Sequence, residues 1–171
     1  MLAKDTVNER KIEILKSVKG VGAVTISILI AELPELGKLN RGEVAKLVGV
    51  VPINRDSGTK SGKRFIGGGR GQVRRVLYMA TIVAIRHNPT IKAFYVHLKS
   101  NGKESKVAID ACMRKLVTIL NLLVKSNQIW QTKRATQSID FIARDDFPSI
   151  KLFLPRLCLH RASVCFTLRK K

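Results

Sequence analysis

The sequence predicts an all-α domain: a helical fold containing a helix-hairpin-helix, one basic glycine-rich loop and a poorly ordered C-terminal tail. Three observations carry this. Apolar residues recur three and four apart through most of the first 130 residues, the spacing of helices with one buried face. Gly, Pro and Asn punctuate those runs at short intervals. Alternating strand patterns are scarce, and no repeat of solenoid length occurs.

Asn8 to Ser17 carries Ile12, Ile14 and Leu15 on a charged background and reads as a short amphipathic helix. VKGVGAVTISILIAEL follows over residues 18–33, a Gly-Val-Gly turn leading into a nearly all-apolar segment that stops at Pro34. Asn40 and Glu43 have the spacing of a capping box and open a helix running through Leu47. Gly49 to Pro52 closes it, and a long loop without periodicity comes next. Val73, Val76, Leu77, Ala80, Val83 and Ala84 then mark a helix ending before Asn88-Pro89, because the residue before proline disfavours helical angles. Ile91 to Leu98 is a short helix, Asn101-Gly102 a turn, and Ser105 to about Lys125 the longest helix, marked by Ala108, Cys112, Leu116, Ile119 and Leu123. The helical domain is assigned to residues 7–130. Residues 131–171 are an irregular basic tail, with Pro148 and Pro155 breaking any long amphipathic helix a membrane surface would need.

Charge narrows the partners. Of 171 residues, 32 are Lys or Arg and 12 are Asp or Glu, a formal net charge of +20, while 45% are hydrophobic. A core-forming chain with that excess points to a polyanion, most commonly nucleic acid. No apolar run approaches the ~20 residues of a spanning helix, which sets membranes aside as partners. Cys112, Cys158 and Cys165 are odd in number and lack metal-like spacing, so no disulfide framework or metal site is assigned. His87, His97 and His160 are scattered and read as structural or exposed.

Two stretches bear on chemistry. Lys19-Gly20-Val21-Gly22, between two helices, has the form of a helix-hairpin-helix, whose turn can present N–H groups to a phosphate oxygen while Lys19 adds charge. The other reading is an ordinary helical hairpin whose glycines serve the turn. INRDSGTKSGKRFIGGGRGQVRR, residues 53–75, sets Lys60, Lys63, Arg64, Arg70, Arg74 and Arg75 around Ser57, Ser61 and a run of glycines. Glycine permits close backbone approach to a phosphodiester, and arginine forks grip phosphate oxygens in pairs. A serine among such cations has the electrostatic help a nucleophile needs; equally, serines are ordinary turn formers in a solvated loop. Arg74 and Tyr78, four apart on one helix, face the same side as the loop. Arg114 and Lys115 are either solvated or an extension of a positive groove. No phosphate loop of the GKS/T kind is present, which argues against nucleotide hydrolysis.

The segment LKSVKGVGAVTISILIAELPELGKLNRGEVAKLVGVVPINRDSGTKSGKRFIGGGRGQVRRVLYMA, continued by RHNPTIKAFYVHLKSNGKESKVAIDACMRKLVTILNLLV, resembles the C-terminal domain of DEDD-type bacterial insertion-sequence transposases related to the pilin-gene invertase. The resemblance runs from about Ile12 to Trp130. It implies DNA transposition and site-specific recombination, with element ends and target DNA as partners, a structured bridge RNA as guide in some members, assembly as a homo-oligomer, and a location on the bacterial nucleoid in the cytoplasm. In that family a serine of this domain attacks a DNA phosphate. Ser57, in Arg55-Asp56-Ser57-Gly58, falls on the family's Ser-Gly motif, and Ser61-Gly62 is a second candidate. Magnesium is held in the family by four acids of an N-terminal RNase-H-like domain; this chain starts just ahead of the C-terminal domain, and Asp5, Glu9 and Glu13 on a short helix are no substitute. The resemblance therefore implies a shortened copy that binds DNA without independent catalysis and takes no cofactor of its own, with a tail that looks like readthrough. The competing class is a non-enzymatic RNA-binding or structural protein.

Overall fold

The computed structural model describes residues 2–131 apart from Arg55, Lys60, Ser61 and Lys63, and for residues 2–6 it describes the backbone alone. The described residues form α1 (Leu2–Lys16), α2 (Ala23–Glu32), α3 (Arg41–Val48), β1 (Pro52–Ile53), β2 (Phe65–Ile66), α4 (Gly71–His87), α5 (Pro89–Ser100) and α6 (Ser105–Ser126). The all-α expectation holds. The tail beyond Gln131, and with it Cys158, Cys165 and His160, lies outside the described residues.

The core is built on α6, which packs against α1, α3, α4 and α5, while α2 packs on α4 and α1. Cys112, Met113, Leu116, Val117 and Leu120 of α6 meet Leu77 and Ala84 of α4, Leu29 of α2 and Val44 and Val48 of α3 in one apolar cluster. Leu77, Leu116 and Leu120 are fully buried, so truncating any of them to alanine costs about 2–5 kcal/mol. Along α4 the buried face is Val73, Leu77, Ala80, Thr81 and Ala84. Val83, assigned to that face from the sequence, is 43% exposed instead, because at 3.6 residues per turn it lies about 100° round the helix from Ala84 and falls off the buried stripe.

Helix boundaries follow local chemistry. Glu43 Oε2 accepts from the Asn40 backbone N–H at 2.9 Å, half of the capping box read from the sequence. Asn88 serves two helices: its N–H donates to the Ala84 carbonyl to end α4, and its Oδ1 accepts from the Thr90 N–H at 3.1 Å to start α5, with Pro89 in the first turn. Asn121, 5% exposed in α6, reaches across to the segment joining α2 and α3. Its Oδ1 accepts from Gly37 N–H and its Nδ2 donates to the Leu39 carbonyl, both at 2.8 Å. A buried amide with both ends satisfied fixes that segment against α6 without leaving an orphan polar group.

Candidate nucleic-acid interface

The cationic loop is organised as a tongue. Its base is an antiparallel pair in which Pro52 opposes Ile66 and Ile53 opposes Phe65. The pairing is too short to show a period in the sequence, which is why the segment reads there as a plain loop. The described residues between the two strands form the tip, where Asp56, Ser57, Gly58, Thr59 and Arg64 are exposed. Gly58 has φ +55°, as a tight turn after Ser57 requires. Asp56 Oδ1 accepts from the Gly62 N–H at 3.0 Å and closes the tip across the turn. The single acid of the loop is thus used in its own architecture. Ser61, Lys60 and Lys63 lie outside the described residues.

Below the tongue, the glycine run is interlocked with the end of α3. Gly49 caps α3 in the left-handed region at φ +76°, and a Cβ there would collide with the Gly68 carbonyl and lie 2.6 Å from Arg74 Nη1. Gly69, at φ +60°, comes equally close to Leu47 and Gly49. The Arg70 N–H donates to the Leu47 carbonyl at 2.9 Å. Backbone packed on backbone at that distance admits no side chain. Of the run at 67–69, Gly69 is the one locked into this mount; a Cβ on Gly68 would meet nothing within 4 Å, and one on Gly67 only Ile53.

The arginines around this mount divide by what they touch. Arg70 makes a two-pronged ion pair with Glu35, Nη1 to Oε2 at 2.7 Å and Nη2 to Oε1 at 2.8 Å, and its Nη1 also donates to the Glu32 carbonyl. The guanidinium fork beside it holds the Glu35 carboxyl down to about 2 and raises Arg70 in turn. Arg74 Nη1 donates to the Gly68 carbonyl at 2.6 Å and to the Gly49 carbonyl at 3.4 Å. Both arginines therefore brace the tongue. Arg75, one residue on, is exposed, and no braces of this kind involve it among the described residues. Arg74 and Tyr78 line one groove with Ile66 of β2, so the side they share does face the tongue.

The turn between α1 and α2 also separates its residues by role. Gly20, at φ +104°, lies against α4, and a Cβ there would stand 2.6 Å from the Ala84 Cα. That glycine is required by helix packing. Gly22 precedes α2 with φ −87°, and a Cβ on it would meet nothing within 4 Å. It needs no left-handed angle and faces open space, beside exposed Lys19. Elsewhere, Lys115 is 8% exposed with its Nζ 4.7 Å from the centre of the Phe94 ring, so it belongs to the interior. His87 and His97 are exposed, and His97 Nε2 meets Asn101 Nδ2 at 3.1 Å. Sequence reasoning did not find Glu35 or Asn121, each of which acts on a residue far along the chain, and it read Gly49 as the close of α3 without its contact to Gly68.

Among the described residues, no three His, Cys, Asp or Glu side chains gather closely enough to hold a metal ion, and no helix is long and apolar enough to cross a membrane.

Comparison with known proteins places this geometry. Residues 12–96 match the family described as Transposase IS116/IS110/IS902, a span that contains the α1–α2 turn, the tongue and α4. The chain is similar to the pilin gene-inverting proteins of Moraxella bovis and Moraxella lacunata, each 29% identical over 119 residues, which cover 67% of this chain and 37% of either relative. It is also similar to the insertion element IS900 uncharacterized 42 kDa protein of Mycobacterium paratuberculosis, 25% identical over 134 residues, covering 74% of this chain and 33% of that protein. The chain spans about a third of the length of these relatives.

Proposed function

We propose that this domain binds DNA through the tongue and the exposed cations beside it, and that Ser57 is the nucleophile of a transposition or recombination reaction. The observation that carries the reading is the mounting of an exposed Ser-Gly tip on a base fixed by glycine backbone, within the span matched by the transposase family. A reactive hydroxyl must be held in place while being reachable by a backbone phosphate. Lys60, Lys63, Arg64 and Arg75 supply the phosphate contacts, Lys19 and the Gly22 N-terminus of α2 add a second contact, and Arg70 and Arg74 act by holding the tongue in place. Ser61 is the alternative nucleophile.

In the reaction proposed, Ser57 Oγ bonds to a backbone phosphorus and the bond from that phosphorus to one sugar oxygen breaks. The serine's proton passes, directly or through water, to the departing oxygen, and the strand is left esterified to the protein. Neighbouring guanidiniums stabilise the charge that builds on the phosphoryl oxygens. The family resemblance assigns magnesium to acids of another domain. The described residues of this chain contain no cluster able to hold it, so no step is derived through a metal. A bridge RNA, self-association and a nucleoid location in the cytoplasm belong to the same reading, with DNA as the primary partner.

The test is binding to duplex DNA titrated with salt. A protein neutralising several phosphates loses affinity steeply as salt rises, with a log–log slope of about 0.9 per phosphate. Replacing Lys63, Arg64 and Arg75 by alanine should weaken binding and flatten the slope by about two to three. Unaltered affinity and slope in that triple variant remove the tongue as the contact surface. Tight binding confined to structured RNA replaces the reading with the RNA-binding one.

A further inference from the structure

A groove of about 540 Å³ runs between α4 and α6 beside the base of the tongue, within the size range of about 300–1,000 Å³ of small-ligand sites. Its make-up is unlike the tongue's. Arg75 and Lys106 stand at its edge, Tyr78 and Met79 form one wall, Met113 forms a buried floor, and Asp110 of α6 faces in. Tyr78 is 36% and Met79 62% exposed, so an aromatic face and a thioether are open to a ligand. Asp110 is half-buried, and among the described residues it has neither a hydrogen-bond nor a salt-bridge partner. Burial raises its carboxyl above the ordinary range, with Lys106 opposing from the previous turn.

A duplex does not fit this combination. A phosphate backbone would be repelled by Asp110, and paired bases present no π-face to Tyr78. An unpaired nucleotide satisfies every component: its base stacks on an aromatic ring, its phosphate meets Arg75 and Lys106, and a donor-bearing base edge meets the carboxylate. Guanine offers two adjacent donors, N1–H and the 2-amino group, which match the two oxygens of a carboxylate. Thymine and uracil offer one N–H between two carbonyls, which a carboxylate repels.

We propose that this groove holds one unstacked nucleotide of a nucleic-acid strand, with preference for guanine, Tyr78 as the stacking platform and Asp110 as the base-reading residue. The inference rests on the nucleic-acid-binding reading above and adds a single-strand subsite to it. DNA and RNA present the same base edge, so either can supply the nucleotide.

The experiment uses the full chain and short labelled oligonucleotides: single strands of DNA and of RNA with a central guanine or a central thymine or uracil, and the corresponding duplex DNA. The wild type should bind guanine-bearing single strands more tightly than their pyrimidine counterparts. Tyr78→Leu should weaken single-strand binding about 5- to 100-fold while Tyr78→Phe, which keeps the ring, binds as the wild type does. Asp110→Asn should erase the guanine preference and spare overall affinity. Duplex binding should stay within about twofold in all three variants, since no duplex contact is assigned to either residue. A preference for the DNA or the RNA strand supports the subsite and names its source. Unchanged single-strand affinity in Tyr78→Leu, or an unchanged base preference in Asp110→Asn, overturns the proposal while leaving duplex binding standing. A wild type that binds no nucleic acid overturns both readings together.

Discussion

Arg70 and Glu35 face each other as fork and carboxylate, joined by two parallel hydrogen bonds of 2.7 and 2.8 Å across the gap between the start of α4 and the segment after α2. The same Arg70 N–H is bound to the end of α3. One residue thereby ties three parts of the chain at the foot of the tongue. On the DNA-binding reading proposed above, a substitution at Arg70 should lower affinity by loosening that foot.

The first prediction concerns acid. The carboxyl of Glu35 titrates at 4.5 when unperturbed and at about 2 in the folded chain, because the Arg70 fork stabilises its charged form. Stability from the pair is therefore complete above 4.5 and is lost as pH falls from there towards about 2. Thermal melts across that window should show a steeper decline for the wild type than for Glu35→Gln, with the two curves converging at the acid end. Parallel curves would mean the pair contributes nothing. Arg70→Lys should behave like a partial loss, since a lysine cannot make both bonds at once.

Gly49 and Gly22 should respond oppositely to the same change. Gly49→Ala places a Cβ into the Gly68 carbonyl at a left-handed backbone angle, and should destabilise the domain by about 1–3 kcal/mol or more. Gly22→Ala meets open space at an ordinary angle, so its melting temperature should barely move. If Gly22 lets a phosphate approach α2, duplex affinity should nonetheless fall in Gly22→Ala. Full retention of affinity would reduce that turn to a connector.

At Asn121, leucine in place of the amide strands the Gly37 N–H and the Leu39 carbonyl, both of which lose their partner. The expected cost is about 2–4 kcal/mol by denaturant titration, from the desolvation of two unmet backbone groups. Asn121→Asp should lie between, because it still accepts from Gly37 but can no longer donate to Leu39. A leucine variant as stable as the wild type would show that water reaches those groups.

Chemistry is tested on a denaturing gel, with labelled element-end DNA and magnesium. The chain alone is expected to bind and yield no slow-migrating adduct, because a serine hydroxyl is a weak nucleophile without a base or metal and the described residues gather no metal cluster. An adduct that disappears in Ser57→Ala would show that the domain is active by itself. One that disappears only in Ser61→Ala would move the nucleophile to the second Ser-Gly pair.

Helices were legible where their faces were regular. Val73, Leu77, Ala80 and Ala84 mark α4 at its true face, and Asn88-Pro89 marks its end, because both signals are local. Val83 was misplaced since an apolar residue at a half-matching position looks buried until its neighbours are known. Around the tongue the sequence showed composition without partners. Three glycines in a row look alike, and only the nearness of Gly69 to Leu47 and Gly49 shows that the last of them is packed. Arg70 looks like one more phosphate grip, since nothing local reveals a carboxylate 35 residues earlier. Ser57 could be named as a candidate because hydroxyl, glycine and cations are adjacent in the chain. The turn at Gly58 and the closure by Asp56 needed three dimensions.

The glycine mount separates what holds the tongue from what the tongue exposes. Its contacts are made by main-chain atoms and by Arg70 and Arg74, without the side chains of the exposed Ser57, Thr59 and Arg64. Substitutions at those three positions should therefore alter the exposed surface while leaving the foot intact. Support and presentation are thereby assigned to different side chains of one short segment.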